Sequence, residues 1–333
     1  MKRRNFVTAL AMGGSMASVH ASHSLMKIPY FNPQEIKLGI VGLSPHSAAF
    51  SGFLNDVQKS DDLKGCRISA LYHPPGNPDV EFTAEQLADY KKSILSAGVK
   101  IVDSMEALLR ESDGILIETN DGRPHLAEAL PAMKAGLPVF VDKPVAASMA
   151  GVLEVYEAAE KFKVPIFSSS SLRYGKQPQL LNSNSPNQNV LGAQTFSSAP
   201  LQAAHTDLFW YGIHGVEMLF TVMGRGCKSV AHQYHSAIGD VVIGYWEDGR
   251  VGTFRGIREG KRGFGGTAFT KDSIVDLGGF EGYRPLVVRI VEFFNTNESP
   301  VSVAETLEIY AFMEAAQMSR KNGGQRVSLE SMY

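Results

Sequence analysis

From Ile36 onward the chain alternates short apolar runs with stretches whose apolar residues recur every three or four positions. The runs "KLGIVGL", "ISALYH", "GILIET", "PVFVDKP" and "VPIFSSS" read as strands. Continuous apolar segments of this length, bounded by turn formers, suit strands covered on both faces. Between them, "HLAEALPAMKAG" spaces Leu126, Leu130 and Met133 for one helical face and stops at Gly136, a residue that tolerates the left-handed turn closing a helix. Strands alternating with helices predict right-handed βαβ units, and hence a doubly wound parallel sheet over residues 34–167.

After Ser168 the texture changes. "NSNSPNQNVLGA" is a polar loop, and "DVVIGYWEDGRVGTFRG" carries β-rich runs on either side of Asp248-Gly249, a strong hairpin signal. Residues 168–333 are therefore expected to form an α+β domain with a mainly antiparallel sheet beginning near Gly192. In "PVSVAETLEIYAFMEAAQMSRKNGG", Leu307, Ile309, Tyr310, Met313 and Ala316 stand at helical spacing ahead of Gly323-Gly324, which predicts a long closing helix packed back on the body. The expected fold class is α/β: an N-terminal Rossmann-like doubly wound sheet followed by this α+β domain.

Composition narrows the function. In 333 residues, 32 Lys and Arg balance 34 Asp and Glu without a long run of either sign, so no face is built for nucleic acid. Cys66 and Cys227 lie far apart, without disulfide-framework or zinc spacing; they read as two buried thiols. The opening "MKRRNFVTALAMGGSMASVHASHS" joins Lys2, Arg3 and Arg4 to an apolar run and a small-residue site before Ser22. That layout reads as an export signal of the twin-arginine kind, which carries folded proteins across a membrane, here to the periplasm. Residues 1–30 are thus set apart as signal and linker. The apolar run is too short and too rich in Gly and Ser for a stable membrane span.

"IKLGIVGLSPHSAAF" (residues 36–50) has the strand, glycine and helix of a dinucleotide fingerprint, in which three glycines give the tight turn, the close approach of backbone to diphosphate, and helix–strand contact. Gly42 keeps the first place; Ser44 and Ser47 take the other two. Amides at a helix start still favour an anion, and the two hydroxyls are expected to add donors. At the end of the second strand, where an acid ordinarily binds the adenine ribose, the chain has Tyr72 and His73 and no carboxylate until Asp79. Loss of that acid suits NADP better than NAD, yet no Arg stands there for a 2'-phosphate.

"ETNDGRPHLAEALPAMKAGLPVFVDKP" (118–144) and "FWYGIHGVEMLFTVMGRG" (209–226) resemble the glucose-fructose oxidoreductase, inositol dehydrogenase and MocA family over nearly the whole mature chain. Asp142-Lys143-Pro144 matches its Glu-Lys-Pro signature with Asp for Glu. The resemblance implies an oxidoreductase acting on a sugar or sugar derivative with NAD or NADP. It makes Lys143 the active-site lysine and His214 the catalytic histidine. Trp210 stands where the family usually has Asp, and Glu217 where a second Asp often follows. The resulting expectation names Lys143, His214 and Tyr211 as catalytic, and Gly42, Ser44, His46, Ser47, His73, Thr119, His125 and Lys143 as cofactor-binding. Arg173, Trp210, His205 and Glu217 are expected to contact substrate, with Trp210 stacking on a sugar ring and Arg173 clamping a carboxylate or phosphate. His232 and His235 lack suitable neighbours in sequence for a metal site, and no metal is expected.

A lysine at a strand's C-terminal end or a neutral histidine can take the hydroxyl proton while hydride leaves the same carbon. An exported enzyme has no free nicotinamide pool, so its cofactor is expected to travel bound. Two other readings stay open from the residues alone. One is a redox-neutral glycoside hydrolase or lyase using the cofactor transiently; the other is a carbohydrate-binding protein that has lost it. A homo-oligomer formed through the second sheet is also left open.

Overall fold

The computed structural model describes residues 35–183 and 189–333; the export signal read in residues 1–30 lies outside them. The chain runs β1 (Ile36–Val41), α1 (Pro45–Asn55), β2 (Cys66–Tyr72), α2 (Ala84–Ser96), β3 (Lys100–Val102), α3 (Met105–Arg110), β4 (Gly114–Ile117), α4 (His125–Lys134), β5 (Val139–Val141), α5 (Met149–Phe162) and β6 (Ile166–Phe167). These six strands form an all-parallel sheet in the order β3-β2-β1-β4-β5-β6. Every residue of β4 and β5 is buried, as helices on both faces of a parallel sheet require. The three residues of β3 are too short to stand out as an apolar run. On α4 the buried positions are His125, Glu128, Ala129, Ala132 and Met133, while Leu126 and Leu130 are half-buried. The contact face is thus rotated from the leucine stripe toward the two alanines.

The second half adds α6 (Lys176–Ser183), β7 (Val190–Ser198), α7 (Ile213–Met223), β8 (Cys227–Ser236), β9 (Gly239–Trp246), β10 (Val251–Ile257), β11 (Phe264–Thr270), β12 (Ile274–Asp276), α8 (Arg284–Thr296), α9 (Val303–Lys321) and β13 (Val327–Ser328). Its seven-stranded sheet has the order β12-β11-β7-β10-β9-β8-β13. It is antiparallel except where β10 runs parallel to β7. The hairpin between β9 and β10 turns at Gly249, with φ 87°, in agreement with the Asp-Gly signal.

Gln34–Tyr333 packs as one compact unit. Helix α8 returns to the first sheet, where Leu286, Ile290 and Phe293 join Leu38, Ile40 and Leu116 in one core. Helix α9 lies against the second, and all five apolar residues read from its spacing are buried. Its Tyr310 hydroxyl accepts from the Val145 amide at 2.7 Å, tying α9 to the segment after β5. Cys66 and Cys227 are free, buried thiols, and burial pushes each up to about 12. Among the described residues, no helix is long and apolar enough to cross a membrane.

The β1–α1 turn depends on Gly42. Its φ is 96°, and a Cβ there would stand 2.4 Å from the Thr119 backbone nitrogen. Gly42→Ala should therefore destabilise the protein by about 2 kcal/mol or more. Gly52→Ala, in exposed α1 with no atom within 4 Å of the added carbon, should instead stabilise by roughly 0.5–1 kcal/mol. Urea denaturation of both variants reads the two signs directly.

Candidate active site

In an open parallel sheet, ligands bind beyond the carboxyl ends of the strands where strand order reverses. Here that point lies between β1 and β4. The loop after β1 delivers Gly42 to Ser47, β4 leads into Glu118 and Thr119, and β5 leads into Asp142 and Lys143. The start of α7 brings Tyr211 and His214 to the same crevice. Lys143 Nζ lies 5.8 Å from the Tyr211 ring centroid, and the His214 ring stands edge-on to Tyr211 at 4.9 Å. Phe264 backs both rings, at 6.2 Å from Tyr211 and 5.7 Å from His214. The proposed lysine and histidine thus meet on one phenol ring.

Behind His214, its Nδ1 is 2.7 Å from Ser170 Oγ. That hydroxyl also accepts from the Leu172 amide, capping a short 3-10 turn at Ser171–Tyr174. Burial, reinforced by the nearby positive charge of Lys143 and His46, holds His214 well below the usual histidine range. It is therefore neutral at neutral pH. Glu217, one turn further along α7, accepts from Ser169 Oγ, from the Ser170 amide at 2.8 Å and from Arg173 Nε at 2.7 Å.

This overturns the substrate-binding expectation for Glu217 and Arg173. The carboxylate is filled by three donors, and Arg173, 4% exposed, pairs Nε with Glu217 and Nη1 with Glu305 at 2.7 Å each, leaving Nη2 buried without a partner. Both position His214 from behind. A second correction concerns Ser44 and Ser47. Ser47 Oγ accepts from the Ser44 amide at 2.7 Å, and Ser44 Oγ from the Ser47 amide at 3.2 Å. This reciprocal cap at the start of α1 takes both amides, and Ser47 donates its hydroxyl to the Ser44 carbonyl at 2.8 Å, so Ser47 has no donor left for an anion, while the Ser44 hydroxyl only accepts within the cap.

His125 is also removed from the cofactor set. It is fully buried, with Nε2 2.9 Å from the Thr119 carbonyl and Nδ1 3.3 Å from that of Val145. It staples the loop after β4 to the segment after β5. Trp210 is half-buried and packs on His205 with ring centroids 4.9 Å apart. His205 Nε2 in turn accepts from the Gly122 amide at 3.3 Å and lies 3.4 Å from Asp121. His73, with its Nδ1 buried and unpartnered, lines a small hollow of about 120 Å³ together with Gly42, Leu43, Asn77, Glu81 and Thr119.

His46 stands at the mouth of the crevice. Its Nδ1 is 2.7 Å from Asp142 Oδ2 and 3.8 Å from Glu118 Oε2, and its ring packs on Phe50 and edge-on to Tyr283 at 4.7 Å. Burial, with the Asp142 charge adding to it, pushes the Glu118 carboxyl well above the usual carboxylate range. At Asp142 burial pushes the same way, but His46 and Lys143 outweigh it and hold that carboxyl well below. Sequence reasoning missed Glu118, Ser170 and Tyr283. Serines fill positions 168–171, but nothing local says which of them meets a helix residue 44 positions on.

Residues 36–169 match the model of an oxidoreductase family with an NAD-binding Rossmann fold. No curated protein matches the chain in sequence. Among solved structures, the chain is similar to myo-inositol 2-dehydrogenase from Lactobacillus plantarum, at 15% identity and a TM-score of 0.70, over 89% of this chain and 99% of that one. It is similar also to a myo-inositol dehydrogenase from Corynebacterium glutamicum, at 12% identity and 0.70, over 89% and 99%. An oxidoreductase from Agrobacterium radiobacter, solved with NAD+, L-tartaric acid and magnesium, matches at 14% identity and 0.69, over 90% and 100%. At these identities the likeness is one of fold. Over residues 36–169 the chain is thus similar to the NAD-binding Rossmann domain of the oxidoreductase family named for glucose-fructose oxidoreductase, inositol dehydrogenase and MocA.

Proposed function

We propose that this protein is a nicotinamide-dependent oxidoreductase acting on a sugar or polyol, with Lys143 and His214 as its proton-transfer groups. The observation that carries the reading is their meeting on the Tyr211 ring, at the end of the parallel sheet where ligands bind. The relatives solved as inositol dehydrogenases support a polyhydroxylated substrate.

The crevice suits a dinucleotide in an altered way. His73 Nδ1 is a buried polar atom without a partner beside the small hollow at Gly42, and such an atom calls for a ligand. Pro45 has no N–H, and the amides of Ser44 and Ser47 are taken. The amides of Leu43 and His46 are left for the diphosphate. When bound, the nicotinamide would supply the hydride acceptor.

The chain's own residues supply the rest. With Nδ1–H donated to Ser170 Oγ, His214 keeps Nε2 as an acceptor for the substrate hydroxyl proton. Its low affinity for protons keeps it neutral and ready at neutral pH. Lys143 stabilises charge developing on the substrate oxygen, with the Tyr211 phenol as relay. Trp210, half-buried, offers an aromatic face for the sugar, whereas the His205 side chain, expected to touch substrate, is fully buried and packs tilted behind it. We propose further that the twin-arginine signal exports the folded protein with its nicotinamide already held.

His214→Ala and Lys143→Met should each lower kcat by roughly 10²- to 10⁴-fold, while Ser170→Ala should have a smaller effect; a polyol panel followed at 340 nm measures this. Heat-denaturing protein purified from its native compartment should release about one nicotinamide nucleotide per chain, and a supernatant without any would count against tight retention. Acid should also destabilise the fold. The unfolded chain binds a proton at His214 near pH 6.5 and the folded chain does not, so stability is complete above pH 6.5 and falls as pH drops below it. The slope from this group approaches about 1.4 kcal/mol per pH unit, and unfolding curves of His214→Gln should lack that share.

A further inference from the structure

We propose that His46, Glu118 and Asp142 bind a divalent first-row transition-metal ion at the carboxyl ends of β1, β4 and β5. Each offers one ligand atom, and the three atoms lie within 4.8 Å of one another. They come from three separate elements that the parallel sheet brings to one edge.

The reason for an ion is what the protein leaves open there. Glu118 is fully buried, and neither of its oxygens has a hydrogen-bond partner; Asp142 Oδ1 is likewise buried and unpartnered. No lysine or arginine among the described residues forms an ion pair with either acid. A proton shared between the two carboxyls would require a short O–H···O bond, and none joins them. The chain treats other buried acids differently. Glu217 is filled by Ser169, Ser170 and Arg173. Glu308 accepts from the Gly226 and Cys227 amides. In the other His/Asp grouping, His232 and His235 share Asp240 with Arg258, whose guanidinium already supplies the cation.

One imidazole and two carboxylates form a mixed nitrogen and oxygen set. It suits Zn²⁺ or Mn²⁺ better than Ca²⁺ or Mg²⁺, which favour oxygen alone. Three protein ligands leave coordination positions open, and the His46 side chain, 13% exposed, marks the side that reaches the crevice. An oxygen of an entering ligand would complete the sphere beside Lys143.

The test needs no turnover. Full-length protein stripped with chelator and titrated calorimetrically with ZnCl₂, then MnCl₂, should bind one equivalent. His46→Ala and Glu118→Gln should weaken binding at least tenfold, and His235→Ala should leave it unchanged. No saturable binding up to millimolar ion, unchanged affinity in both site variants, or loss in His235→Ala instead would overturn the proposal. Should the variants fail to fold, electron spin-echo spectra of Mn²⁺ on the wild-type chain should show coupling to an imidazole nitrogen, and its absence would overturn the proposal equally.

Discussion

The buried pair of Arg173 with Glu217 holds the geometry of the crevice. Glu217 sits three residues after His214 on α7, while its donors Ser169, Ser170 and Arg173 all belong to the segment leaving the parallel sheet after β6. One carboxylate therefore sets the distance between the sheet edge and the helix that carries the candidate base. A buried ion pair contributes little net stability against an apolar replacement, but losing one member leaves an uncompensated charge. Its value here is positional. Ser170 can reach His214 only because its own backbone is held by Glu217.

The front of the crevice follows a different logic. Replacing two fingerprint glycines with serines did not open the loop; it closed it, since the hydroxyls turned inward to cap α1. That helix start is well satisfied internally and offers few amides to an anion. The neighbouring Glu118 and Asp142 leave buried oxygens without a donor at the same edge, beside His46.

Much of this was legible in the residues. Apolar runs alternating with helical spacing specified the parallel sheet, Asp248-Gly249 the hairpin, and the spacing from Leu307 to Ala316 the closing helix. Lys143 and His214 could be named because short motifs surround them. The roles of Glu217, Arg173 and His125 were misread for a common reason. A polar residue in a functional segment looks the same whether it faces a ligand or a buried partner, and only the partner's position decides.

What the sequence determined by itself was periodicity and local chemistry: which segments bury one face or both, where turns can form, and which residues are able to move a proton. Tertiary structure decided which of those groups are spent on one another. Ser47 on Ser44, Arg173 Nε and Nη1 on Glu217 and Glu305, and His125 between two carbonyls are consumed internally, whereas Glu118 is left buried without a donor. The physical reason is that burying a polar group is costly unless it is paired, and pairing depends on distances between elements remote in sequence.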